Sequence, residues 1–121
     1  MEEYLEGYVP DFKIIFNRKK QWINVYLWDV HPNTFSRWKS GRWAYFLATW
    51  SNPRWGEFGE LHFVKSRIRE DVASHEILHA LVEWMYSGGF TITRQNEEKM
   101  CELMDELVRK FYREYNKVIK H

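Results

Sequence analysis

The sequence predicts an α+β domain: a small antiparallel (mixed) sheet of three to four strands, followed by two packed helices. Two observations carry that prediction. Up to about residue 65, apolar residues come in short runs rich in aromatic and β-branched types, separated by turn-forming residues. Beyond that point the apolar period becomes helical, with no Gly or Pro between Ile68 and Ser87 and a second helical run from about Thr93 to Lys117. Strands grouped ahead of helices, rather than alternating with them, define the α+β class. At 121 residues the whole chain, 1–121, suits one domain with a core of useful size.

The strand region covers about residues 12–65. Lys13-Ile14-Ile15-Phe16 reads as a short strand, and the polar Asn17-Arg18-Lys19-Lys20 as a turn. Trp22–Trp28 is rich in aromatic and β-branched residues and makes the second strand, which His31-Pro32-Asn33-Thr34 breaks. Trp43–Trp50 is the third, closed by the turn chemistry of Ser51-Asn52-Pro53-Arg54, and the alternating Glu60–Lys65 is the fourth.

The first helix is expected over about 67–86, capped by Ser66 or Asp71 and stopped by Ser87-Gly88-Gly89. Val72, His75, His79, Val82 and Tyr86 line one stripe; Ala73, Ile77, Ala80, Leu81 and Trp84 line another. Apolar stripes on two sides imply burial on two sides, between the sheet and the second helix. That second helix is expected over about 94–118, with Thr93 as its cap. Its inward face would use Met100, Cys101, Leu103, Met104, Leu107, Val108, Phe111 and Tyr115.

Composition removes several function classes. The net charge of +1 gives little whole-molecule attraction to nucleic acid or an anionic membrane. One cysteine, Cys101, excludes an internal disulfide and fits a reducing, cytoplasmic setting. The acidic start Met1-Glu2-Glu3-Tyr4-Leu5-Glu6-Gly7 has neither the basic start nor the apolar run of a secretion signal, and no apolar stretch reaches membrane-span length. Phe35–Trp43 interleaves bases with aromatics, which suits a nucleic-acid strand; a solvated loop over buried aromatics is the plainer reading. The basic residues from Arg109 to Lys120 read as a solvated face near a helix C-terminus.

One motif carries chemistry. His75-Glu76-Ile77-Leu78-His79 is an H-E-x-x-H pentapeptide inside the first helix. Residues four apart share a helix face, so both imidazoles can grip one metal ion. Glu76 stands one residue past the first ligand, where it can reach a water on that metal, and the spacing is the signature of zinc-dependent peptide hydrolysis. Catalytic zinc takes three protein ligands and keeps one position for water. The second helix opens with Glu97-Glu98, either of which could supply the carboxylate, although acids also favour a helix N-terminus for its dipole alone.

The arrangement resembles the gluzincins, the zinc peptidases of the thermolysin kind, over about Glu60 to Phe111. These carry H-E-x-x-H on one helix and a ligand Glu on a following one, often with a small residue three positions on and an acid four positions on. Glu98, Cys101 and Glu102 match that pattern, and Glu98 lies nineteen positions after His79, a separation common in the group. Glu97, which follows Asn96 as some gluzincin ligands do and lies in register with Met100 and Met104, is the alternative. The chain is also similar to small metallopeptidases of phage and prokaryotic genomes. The resemblance implies a zincin-like fold, one Zn²⁺ per chain on His75, His79 and Glu98, and Glu76 as general base. It further implies Glu102 bracing a ligand imidazole, a peptide or protein substrate, and capture of that peptide along the strand at Leu61–Val64. Tyr86, Tyr112 and His62 are the nominal candidates to stabilise the oxyanion, with packing the plainer role for the tyrosines and a surface or sheet position for His62. The competing reading is a catalytically inactive zinc-binding, or peptide- or nucleic-acid-binding, module on the same fold.

Overall fold

The computed structural model describes residues 9–16, 19–29, 44–49, 56–88 and 91–119. Phe35–Trp43 lies outside these, as do the flanking Trp43 and Trp50 of the expected third strand.

Strand β1 (Phe12–Phe16) alternates strictly, with Phe12, Ile14 and Phe16 buried and Lys13 and Ile15 exposed. It pairs antiparallel with β2 (Gln21–Trp28), from Phe12 opposite Val25 to Phe16 opposite Gln21. Lys19, in their connection, takes a φ of 68°, the left-handed conformation that tight hairpin turns use. Strand β3 (Ala44–Ala48) and the long β4 (Gly56–Val64) complete a four-stranded mixed sheet in the order β1-β2-β4-β3. β4 runs parallel to β2 and antiparallel to β3. It starts four residues earlier than expected, while Lys65 falls into a short 3₁₀ turn, Lys65–Arg67.

That order corrects one expectation. Leu61–Val64 cannot capture a peptide, because both edges of β4 are occupied, by β2 and by β3. β4 sits so close to β3 that a Cβ on Gly59 would lie 2.5 Å from Phe46 Cε1 and 2.7 Å from the Leu47 carbonyl oxygen. The oxygen belongs to the sheet backbone and cannot move away cheaply. Gly59→Ala is therefore expected to destabilise the fold by about 1–3 kcal/mol, read as a lowered urea midpoint; an unchanged midpoint would refute the close approach.

Helix α1 (Glu70–Ser87) packs on β3 and β4, and α2 (Glu97–Ile119) on β1 and α1. Both helices cover one sheet face. The core between them joins Ile14, Phe16, Ile23, Val25, Phe58, Leu61 and Phe63 to residues of α1 and α2 including Ile77, Ala80, Leu107 and Phe111. No helix among the described residues is long and apolar enough to cross a membrane. The α+β class is thus as the sequence predicts.

The helix ends differ from expectation in physically simple ways. α1 begins at Glu70 because the 3₁₀ turn takes the preceding residues. Its N-cap is Arg69, which makes no side-chain cap bond, rather than Ser66 or Asp71. The Arg69 guanidinium instead grips the Asp71 carboxylate through two hydrogen bonds, 3.1 and 2.8 Å, which hold that carboxyl below its ordinary pKa. α2 begins at Glu97, three residues later than expected, so Thr93 stands one turn ahead of it and closes that turn rather than capping the helix directly. Thr93 Oγ1 accepts from the Asn96 amide (3.3 Å), and Asn96 Oδ1 accepts from the Thr93 amide (2.7 Å), the reciprocal pattern of a capping box. Cys101, expected inward, is exposed. It lies on the flank of a buried stripe centred on Leu107 and Phe111.

Candidate metal centre

Helix α1 buries one stripe, not two. Ala73, Ile77, Ala80, Leu81 and Met85 face the core, whereas Val82 and Tyr86 are 47 % and 81 % exposed. Trp84 is consistent with this rotation. Its Nε1–H donates to Oε1 of the fully buried Gln21 at 2.9 Å, and its ring meets Phe16 edge-on at 6.5 Å. Trp84 lies nine positions after His75, about two and a half helical turns, so the two point to opposite sides. With the indole packed against the core, the histidines lie on the solvent side. Gln21 is the residue that sequence reasoning missed; an amide at a strand start carries no local signal of such a role.

On the solvent face, His75 and His79 come together as the i, i+4 spacing predicts. Both are exposed. Their Nε2 atoms stand 3.2 Å apart, with ring centroids 4.8 Å apart and planes at 77°. Two donors at about 2.0–2.1 Å from a tetrahedral zinc are themselves about 3.3–3.4 Å apart. The pair already has the spacing of two neighbouring zinc ligands. Glu76 sits on the next flank of the helix, 6 % exposed.

The carboxylates of α2 are not brought to this pair. Among the described residues no group of three or more His, Cys, Asp or Glu could hold a metal ion together. Glu97, Glu98 and Glu102 are all exposed. Glu102 lines a groove of about 360 Å³ with Phe16, Trp84, Lys99, Met100 and Leu103. It therefore stands beside the Trp84 side of α1, away from His75, rather than behind a ligand imidazole. Glu98, one turn earlier on α2, shares its side of that helix.

The oxyanion candidates separate cleanly. His62 is fully buried, on the sheet face opposite the helices. Cross-strand register stacks its ring between Tyr26 (4.9 Å, 9°) and Tyr45 (4.8 Å, 7°). Its Nδ1 accepts from the Trp28 indole N–H at 3.1 Å, so its proton lies on Nε2, which donates to Glu60 Oε1 at 2.9 Å. Every polar atom of that ring is committed to the outer face, far from α1's solvent face. Burial, with the Glu60 and Glu57 carboxylates adding to it, pushes the Tyr26 phenol up to about 12. Tyr112 lies by Glu70 and Asp71; burial, then the Glu70 charge, raises its pKa, and its hydroxyl has no hydrogen-bond partner among the described residues. Tyr86 stands free of the core on the same face as the histidines.

The chain matches no protein-family model, no curated protein and no solved structure.

Proposed function

We propose that this chain is a zinc-dependent peptidase whose metal is held by His75 and His79, with Glu76 as general base. The observation that carries the proposal is the convergence of the two imidazole Nε2 atoms at 3.2 Å on an exposed helix face, with Glu76 one residue along the chain and buried on the adjoining flank. A structural zinc site has no need of that carboxylate. A zinc ion there would acidify a water molecule and polarise a peptide carbonyl. The histidines orient the site, because both are fixed by one rigid helix. Glu76 takes a proton from the attacking water onto its carboxylate and hands it to the leaving amine as the C–N bond breaks. Leu78, Val82 and Tyr86, exposed around the histidines, offer apolar surface to the substrate's side chains.

Glu98 is the proposed third donor, with Glu97 as its alternate. Ligation by either requires the exposed first turn of α2 to come round to the histidine side of α1. Glu102 would follow Glu98 as its bracing partner. An enzyme of this size suits a peptide or a single dedicated protein as substrate.

Metal analysis tests the reading. Wild-type protein is expected to carry one zinc per chain after dialysis. His75→Ala and His79→Ala should each weaken zinc binding by more than the roughly 10–100-fold typical of outer-sphere partners. Glu98→Ala should weaken it while Glu97→Ala leaves it near wild type. A double His75→Ala/His79→Ala variant that still held one zinc would refute the site.

A further inference from the structure

We infer that the outer edge of β1, together with the basic side of α2, is a docking site for an extended acidic peptide strand. This surface lies at the far end of the sheet from β3, on which α1 packs, so it is separate from the histidine pair.

Three observations carry the inference. The first is an open edge. β1 ends the sheet, and among the described residues its outer side pairs with no strand. Strand alternation turns the main-chain groups of Lys13 and Ile15 away from β2. The second is a stand-in for a neighbouring strand. Lys110 of α2 donates from Nζ to the Ile15 carbonyl oxygen at 2.6 Å, in the position a partner strand's N–H would take. The edge is therefore oriented for a donor and is satisfied by a displaceable side chain. Lys110 also has Glu106 at 2.6 Å, so it keeps a partner when it lets go of the strand.

The third observation is charge. An open groove of roughly 770 Å³ runs between β1 and α2. Lys13, Lys19, Lys110 and Arg113 line it, against Asp11 and Glu114. Glu114 is already engaged by Arg113 at 3.5 Å and Lys117 at 3.1 Å. Lys13 packs its ammonium over the Trp22 ring, 4.9 Å from the centroid, and stays on the exposed side of the strand. The excess is cationic, so carboxylates on the incoming strand would be drawn in. Ile15, 45 % exposed between the basic residues, offers an apolar contact to an alternate side chain. Five residues of β1 match about 17 Å of added strand. A row of main-chain donors and acceptors at strand spacing favours a peptide over a nucleic acid, whose backbone has no matching amides.

Fluorescence anisotropy on the full chain tests this with a labelled (Val-Glu)₄ peptide. The comparison probes are the same peptide N-methylated at alternate residues, a (Val-Lys)₄ peptide and an oligothymidine. The expected result is salt-sensitive binding of (Val-Glu)₄, weakened at least about tenfold by N-methylation, by the Lys swap, and by Lys13→Glu or Arg113→Glu in the protein. Both substituted side chains are exposed, so the fold should survive. Slower hydrogen exchange at the Lys13 and Ile15 amides on adding peptide is expected alongside. Absent binding, equal binding of the N-methylated peptide, tighter binding of oligothymidine, or unchanged exchange at those amides would each overturn the inference. None of these readouts depends on zinc, so the peptidase reading stands or falls separately.

Discussion

Glu76→Gln is expected to keep one zinc per chain and to lose peptide hydrolysis by roughly 10²–10⁴-fold. The carboxamide fills the same volume as the carboxylate, so the packing of a residue only 6 % exposed is preserved. It cannot accept a proton at neutral pH, and proton transfer is the one task assigned to it. The imidazoles are untouched, with their Nε2 atoms held by the same helix. Zinc content and turnover of a fluorogenic peptide, measured on the same sample, separate the two roles. Zinc retained with activity lost supports Glu76 as the base. Full activity in the variant would remove the base assignment while leaving the metal site standing. Zinc lost together with activity would show that Glu76 holds the site together rather than acting on the water.

The parts of this molecule that were legible in the sequence are those decided by local pattern. Strand β1 could be read over Lys13–Phe16 because a short β-branched and aromatic run meets a polar turn there, although nothing in that run tells the exposed Ile15 from the buried Ile14. The histidine pair was legible because four residues is about one helical turn, which needs no tertiary information. Parallel pairing of β2 with β4 was not legible, since the strand order depends on which edges meet in three dimensions. For the same reason β4 looked available to a peptide when both its edges are taken. The rotation of α1 was hidden too. Both of its stripes are apolar enough to be core; the one that packs inward carries Ala73, Ile77, Ala80 and Leu81, and its Trp84 bonds to Gln21, sixty-three positions away. His62 repeats the lesson: its burial between Tyr26 and Tyr45 is a matter of cross-strand register, invisible along one strand.

Phe111→Ala should have the largest effect on stability, a loss of about 3–5 kcal/mol. Phe111 is fully buried and is the point where α2 grips the rest of the molecule. Its ring lies 5.5 Å from Phe12 on β1 and 5.3 Å from Phe63 on β4, and it stacks on Tyr115 at 5.7 Å with planes 10° apart. Truncation empties a space bounded by three elements whose backbones cannot all close on it. For a domain with about 5–15 kcal/mol in total, that is a large share. Urea denaturation measures it, and a shift below about 1 kcal/mol would mean that α2 is held elsewhere. The same variant addresses the metal site. His75 and His79 sit on α1, which keeps its own contacts with β3, β4 and Gln21. If those two residues carry most of the zinc affinity, the variant binds metal almost normally under conditions where it is folded. If a carboxylate of α2 completes the site, loosening α2 weakens zinc binding as well, and Glu98→Ala adds little further loss in that background. Stability and zinc affinity, measured together, thus decide whether the second helix is a support for the first or a ligand-bearing half of the centre.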